Sequence, residues 1–423
     1  MQSFWNKITL LFSDSSLRKR ILFVLFALIL FRLLAAVPVP AISSTELAGF
    51  LSNNQFLGLL NIFSGGGLSN LSIVMLGVGP YIVATIIMQL LTTVFPRLKE
   101  IYHEEGETGR RKFSQYSRML AIPLAIVQGF GLLALLGSQD ILPALTMFDR
   151  LTSVVVITGG SMLLMWLGEL VNEFGIGNGV SMIIFAGIVA GFPSAIGRTI
   201  FTFELSQLPL YLGFIVLAVV IIAGVVIITE AERPIPVTYA KRVRGMKMYG
   251  GVSTYLPLRL NQAGVIPIIF ALSILLFPQM ITNMLAGSSN AVLAGINKFV
   301  TAILQNTWIY GILYFLLVFV FTYLYTAITF DPHATSENLQ KSGAFIPGTR
   351  PGASTAEHLS HVVTRLTTFG ALFLGIVAVL PIILQALTGL QTLAIGGTSL
   401  LIVVSVVIDL VKQLNAQLSI REY

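Results

Sequence analysis

An all-α membrane protein with ten transmembrane helices is the fold class the sequence predicts, on three observations. Mean hydropathy is +0.88 and only 10% of residues are charged, which excludes a soluble globular chain of 423 residues. Apolar runs long enough to cross a ~30 Å hydrocarbon core recur along the whole length. Arginine and lysine fall almost entirely on alternate connections between those runs.

The ten runs lie near 21–37, 71–94, 119–136, 152–171, 180–197, 210–228, 265–286, 310–328, 369–387 and 398–414. The first follows Arg18, Lys19 and Arg20 and looks superficially like a secretory leader. Arg32 interrupts it and many spans follow, so it reads as a retained first span. The second, Leu71–Val94, holds Gly77, Gly79 and Pro80 near its start. Pro80 removes a backbone donor, so a kink or broken helix is expected there. Just before it, Asn61–Asn70 (NIFSGGGLSN) is too polar for an ordinary span and carries Gly65, Gly66 and Gly67. Broken backbone at membrane depth is tolerated only inside protein or along a cavity, so a pore is expected at this stretch.

Orientation follows from charge. Only Arg150, Arg198 and Lys298 lie on the poorly basic side, which places both termini and four basic loops in the cytoplasm. Residues 38–70 hold no lysine or arginine and are read as external. The loops at about 230–262 and 329–368 are long and carry projecting basic residues, which suggests a docking surface. The second contains SGAFIPGTRPG, residues 342–352, too heavily punctuated by glycine and proline for regular helix or strand.

Ten spans with both ends inside divide into five and five, and an odd number per half inverts the second half in the membrane. Two internal echoes support this plan. Gly77–Ile82 and Gly264–Ile269 both read G-V-x-P-x-I, at the openings of spans two and seven. Gly177–Ile184 opens span five and Gly396–Ile402 opens span ten, sharing S-x-x-I. The expected halves are residues 1–200 and 201–423.

Several chemistries fall away. Without cysteine there are no disulfides, thiolate nucleophiles or thiolate metal sites. Glu169, Glu173 and Asp409 fall toward span ends, and His103, His333, His358 and His361 lie in loops. A nearly charge-free interior weighs against an ion-driven carrier, although a secondary transporter for a small solute stays open as the alternative. No H-E-x-x-H, G-x-S-x-G or intramembrane aspartate pair is present, and the glycine triplet lacks the Lys-Ser/Thr of a phosphate loop. No enzyme, cofactor or metal is expected. What remains is a channel-like bundle whose apolar constriction excludes water by dewetting yet can deform around something bulky.

The residues that carry a family resemblance are FSGGGLSNLSI at 63–73, GPYIVATIIMQLL at 79–91 and EEGETGRRKFSQYSR at 104–118. Further ones are MWLGELVNEFGIGNGVSMIIFAGIVAG at 165–191, LPLRLNQAGVIPIIFA at 256–271, SGAFIPGTRPG at 342–352 and GGTSLLIVVSVVID at 396–409. On these motifs the chain resembles the SecY family of protein-translocon channel subunits over essentially its whole length. The resemblance implies two inverted five-helix halves forming a clamshell around an hourglass pore in the bacterial plasma membrane. It implies a pore ring of Val78, Ile82, Val180, Ile184, Ile269 and Ile402. It implies a plug running from Asn61 to Leu71 and including Phe63, Ser64, Gly65, Gly66, Gly67, Leu68 and Asn70. A lateral gate between spans two and three and spans seven and eight would admit signal sequences and release membrane segments into the lipid bilayer. Arg242, Arg244, Lys247 and Arg350 would dock the SecA motor or the ribosome, with SecE and SecG as membrane partners. The chain departs from the family pattern after Gly245, where Met246 precedes Lys247 instead of a second basic residue. The activity implied is passive translocation of unfolded secretory polypeptides.

Overall fold

The structure is a computed structural model and describes residues 14–40, 61, 64–103, 105–138, 142, 146–201, 208–239, 242–244, 247–249, 253–264, 266–285, 291–388 and 391–419. Each of the ten predicted runs overlaps a helix, the second only from Gly79 onward. In chain order the helices of the first half are α1 (Ser15–Ala36), α2 (Gly79–Val94), α3 (Pro96–His103), α4 (Gly106–Ser138), α5 (Met147–Phe174) and α6 (Gly179–Phe201). Then come α7 (Leu208–Glu230), the strands β1 (Glu232–Tyr239), β2 (Arg242–Arg244), β3 (Lys247–Tyr249) and β4 (Ser253–Arg259), and α8 (Ile266–Leu285). The chain continues through α9 (Ala291–Gln305), α10 (Thr307–Thr329), α11 (Pro332–Lys341), β5 (Ala344–Phe345), α12 (Ala353–Thr388) and α13 (Gln391–Ser419).

Among the described residues five stretches are long and apolar enough to cross a membrane alone, and six if a bent pair counts as one. The bent pair is α2 with Pro96–Tyr102, which meet at 115°. Shorter apolar stretches lie at Gly179–Pro193, Ile215–Glu230 and Ile266–Leu275. Large apolar side chains stand exposed on α1 (Leu22, Phe26, Ile29, Leu33) and α7 (Val216, Val219, Val220, Ile227), as lipid-facing surfaces require.

Two sequence expectations change here. Pro80 does not kink a span that starts at Leu71. The helix begins at Gly79 with Pro80 in its first turn, where the missing N–H would have had no partner and the fixed φ suits the helix. The bend comes instead at Phe95, immediately before Pro96, where proline disfavours helical backbone in the preceding residue. Likewise Gly396–Ile402 does not open its helix. α13 starts at Gln391 and carries the two glycines inside it.

Helix ends follow local chemistry. Asp14 caps α1 by accepting from the Ser16 amide at 2.8 Å. Thr146 and Asp149 form a reciprocal capping box at the start of α5. Asp331 accepts from the amides of His333 and Ala334 at the start of α11.

The chain forms two compact units. The first comprises Met1–Ile215, Leu272–Tyr310 and Pro381–Tyr423. Within it α4 packs on α2 and α5, α1 packs on α5 and α6, and α6 packs on α5 and α13. Arg118 on α4 donates to Glu169 on α5 at 2.6 Å, so one of the carboxylates near a span end is paired. The crossing of α5 and α6 depends on glycine at both faces: a Cβ on Gly179 would lie 1.9 Å from the Gly168 carbonyl oxygen. That approach and the Gly179 amide donating to Asn172 Oδ1 at 2.7 Å fix the start of α6.

The second unit comprises Val216–Ala271 and Gly311–Leu380. It contains a three-stranded antiparallel sheet ordered β4-β1-β5, with Ile235 opposite Leu256 and Val237 opposite Thr254. Ile235, Val237 and Leu258 bury into a core with Ala344, Ile346, Leu359, Val362 and Val363. β5 pairs only with Thr238 and Tyr239, so Pro234 and Pro236 lie beyond its reach on β1. Proline is tolerated there because no ladder partner on that side requires a donor. The SGAFIPGTRPG segment, expected to hold no regular structure, thus contributes the two-residue strand Ala344–Phe345 before turning at Gly348 (φ 88°). Tertiary pairing outweighs its glycine and proline punctuation over those two residues.

Candidate functional site

The stretch from Ser64 to Val78 is a succession of turns, almost entirely buried. Its chemistry explains why it is not helix. Gly65 and Gly66 have φ of 66° and 82°, values that side chains with a Cβ rarely adopt. Serine and asparagine then satisfy the turn locally. Asn61 O accepts from the Gly66 amide at 2.8 Å and from Ser64 Oγ at 3.0 Å. Ser64 Oγ accepts from the Leu68 amide at 3.1 Å, and Asn61 Oδ1 from the Ser69 amide at 2.8 Å. Ser69 Oγ donates to Gly66 O at 2.7 Å. Phe63 lies outside the described residues.

Three helices hold this stretch. From α1, Arg32 Nη1 donates to the Gly65 carbonyl at 2.6 Å, and the Ala35 carbonyl accepts from Asn70 Nδ2 at 3.3 Å. Gly65 sits so close to Phe31 that a Cβ would fall 2.2 Å from the ring tip. The chain leaving α1 pairs with it too: Val39 N donates to Leu71 O at 2.8 Å and Ile73 N to Val37 O at 2.9 Å. From α5, Gly160 lets Ile73 approach, since a Cβ there would lie 2.0 Å from the Ile73 carbonyl oxygen. Ser161 Oγ, one residue on, donates to the Gly77 carbonyl at 2.7 Å. From α4, Leu132, Leu133, Leu135 and Leu136 join Leu68, Leu71, Met75 and Leu76 in one apolar cluster.

The residues expected to form the ring sit as follows. Val78 is the residue before α2 and Ile82 lies on its first turn, its amide donating to Val78 O at 3.1 Å. Both are buried, as are Ile184 on α6 and Ile402 on α13, while Val180 is half-buried against Gly168. The helices that carry Ile184 and Ile402 pack on each other. A Cβ on Gly65 would lie 3.1 Å from the Gly187 Cα, one turn along α6 from Ile184. So the turn stretch touches the helix that presents a ring residue. Ile269, near the start of α8, is buried within the second unit. Gly77 and Gly264, the first residues of the two G-V-x-P-x-I motifs, have φ of 59° and 61°, so each motif places a left-handed glycine two residues ahead of its helix.

Of the docking residues, Arg242 and Arg244 lie on β2 and Lys247 on β3, which pair as a short antiparallel hairpin with Arg244 opposite Lys247. Arg350 is exposed, on a loop tied to the start of α12 by the Thr355 hydroxyl donating to its carbonyl at 2.8 Å. Sequence reading noted Arg32 only as an interruption of the first span, and missed Gly160 and Ser161. The Gly159-Gly160-Ser161 run within a span, a small-residue signature of close approach, was the available signal.

Comparison with known proteins agrees with this architecture. The family model for SecY matches residues 72–411. The chain is 43% identical to the protein translocase subunit SecY of Mycobacterium bovis over 427 residues, 96% of each chain. It is 43% identical to that of Thermus thermophilus over 436 residues, covering all of this chain and 97% of the relative. A solved structure described as that of a protein conducting channel superposes with a TM-score of 0.67 at 20% identity, over 95% of this chain and 93% of the other. Another, of a SecY protein whose plug domain stabilises the closed state and maintains a membrane seal, gives 0.64 at 19% identity over the same shares. A third, Sec61 in the canine ribosome-channel complex from the endoplasmic reticulum, gives 0.64 at 18% identity, again over 95% and 93%. By sequence along its whole length and by fold, the chain belongs to the SecY family.

Proposed function

We infer that the chain is the protein-conducting channel subunit of a Sec translocase, passing unfolded polypeptides across a membrane and releasing apolar segments into lipid. The observation that carries this beyond family membership is the buried, non-helical Ser64–Val78 stretch, seated against the helix that bears Ile184 and continuous with Val78 and Ile82. Non-helical backbone at membrane depth is tolerated only where it is buried in protein or lines a cavity, and a seat beside Ile184, Val78 and Ile82 favours a stopper.

In this reading Asn61–Leu71 is the plug, and Val78, Ile82, Val180, Ile184, Ile269 and Ile402 form an aliphatic ring that excludes ions by dewetting. The first five helical spans and the last five, residues 1–200 and 201–423, are the two inverted halves. Both termini and the β2–β3 and Arg350 loops face the cytoplasm of a bacterial cell, following the basic bias. There Arg242, Arg244, Lys247 and Arg350 meet SecA or the ribosome, and SecE and SecG complete the complex. The chain is a conduit and not a catalyst, so the driving energy comes from those partners.

The test is a stalled secretory chain, with photoreactive groups placed in turn at Ile82, Ile184, Ile269 and Ile402. Crosslinks from all four positions to the stalled chain are expected. Crosslinks only to lipid or to other parts of this protein would refute the ring.

A further inference from the structure

The turn stretch is held in two different ways along its length. From Leu71 to Gly77 it is fixed through its backbone. Leu71 O accepts from Val39 N, Ile73 N donates to Val37 O, the Ile73 carbonyl lies against Gly160, and Gly77 O accepts from Ser161. From Ser64 to Asn70 the hydrogen bonds are mostly internal. Among the described residues, those that leave this lobe for a helix run only to α1: Arg32 to the Gly65 carbonyl and Asn70 to the Ala35 carbonyl. Arg32 is a charged donor at 2.6 Å, whereas the Asn70 contact is neutral and longer at 3.3 Å. No carboxylate lies within ion-pairing distance of Arg32 among the described residues. Its strong partner is therefore a peptide carbonyl, one that Gly65 presents from a left-handed turn.

We propose that Arg32 is the latch of the stopper: its guanidinium holds the Ser64–Asn70 lobe shut, and the Leu71–Gly77 segment stays seated as the pivot when the lobe swings out. This rests on the reading of Asn61–Leu71 as a plug and adds to it the residue that positions it and the point about which it turns. A carbonyl acceptor suits a latch that must release, because opening leaves no buried carboxylate behind. The exposed guanidinium and the Gly65 carbonyl can each find water instead. A charge in an apolar helix is costly, and such charges mark working parts of membrane proteins.

The chain has no cysteine, so single thiols report without background. Ser64→Cys places a thiol in the lobe and Ser72→Cys one in the pivot, both at positions fully buried in the closed arrangement. The whole translocase complex, reconstituted in liposomes, is treated with a water-soluble maleimide, with Arg32 intact or as Arg32→Leu. The leucine makes α1 more apolar, so insertion of the first span is preserved. Arg32→Gln, whose amide lacks the reach of the guanidinium, is the second variant. Labelling at Ser64→Cys is expected to rise about tenfold on loss of the charged hydrogen bond, with labelling at Ser72→Cys unchanged. Equal rises at both positions, or no rise at either in both variants, overturn the latch. Resting ion conductance is recorded in parallel. Increased Ser64→Cys labelling without increased conductance keeps the latch and refutes the plug as a seal.

Discussion

Gly160 and Gly159 are neighbours on one helix and answer to different forces. A Cβ on Gly160 would strike the Ile73 backbone, which cannot move aside as a flexible side chain would, whereas a Cβ on Gly159 meets nothing within 4 Å. Gly159→Ala is therefore expected to be neutral or stabilising by up to ~1 kcal/mol through helix propensity. Gly160→Ala is expected to destabilise by about 1–3 kcal/mol, the usual cost of overpacking. Thermal unfolding of the detergent-solubilised complex measures both, and equal shifts for the two variants would contradict the close approach. Nothing in the sequence separates these two glycines, since the difference lies in which face meets a distant turn. Gly65 and Gly66 were legible as punctuation because a triplet of glycines between apolar runs has few other uses. Arg32 was legible as an oddity, a charge toward the outer end of the first span that can snorkel and so avoid most of the ~2.5–3.5 kcal/mol cost of a central arginine. Its partner, thirty-three residues on, was not.

At the scale of elements, the helices were readable because long apolar runs leave the backbone no alternative in lipid. Their starts were less so. Pro80 serves equally as a breaker or as a first-turn residue, and only the turn stored in Gly77 (φ 59°) decides between them. The sheet escaped notice for a related reason. β1 reads ERPIPVTY, with two prolines that argue against a strand until the neighbouring edge is known to be open at those positions. Its core gives a separable test. Leu359 is fully buried beneath β1 and β4, so Leu359→Ala is expected to cost about 2–5 kcal/mol. The expected result is faster tryptic cleavage within 232–259 in the membrane-inserted protein, with no change in cleavage of the α4–α5 region. Unchanged cleavage within the sheet would mean that its stability does not depend on this core.

For the whole molecule, composition points to a membrane, and the placement of basic residues is the ground for the proposed orientation. The proposed ring belongs to this scale, since its residues would come from α2, α6, α8 and α13 and no one of them could close a pore. Replacing Ile82, Ile184, Ile269 and Ile402 together with serine puts hydroxyls where dewetting is needed. The resting channel in a planar bilayer is then expected to conduct ions, and an unchanged baseline would remove the ring assignment. Family resemblance and the internal G-V-x-P-x-I echo are what single out these positions in the sequence. The seat of the turn stretch on α4 and α5 was not, because it depends on long-range packing.

One dimension of α2 reaches beyond the protein. With 16 residues at ~1.5 Å each it measures about 24 Å, several ångströms less than a ~30 Å hydrocarbon core. α4 and α5, with 33 and 28 residues, have no such shortfall. The turns ahead of Gly79 continue the same apolar run, and tilt would only shorten the reach of a helix already short, so completing the crossing falls to irregular backbone. Bilayer thickness therefore presses on the one stretch of the span that is not regular helix, and lipid composition becomes an input to its position.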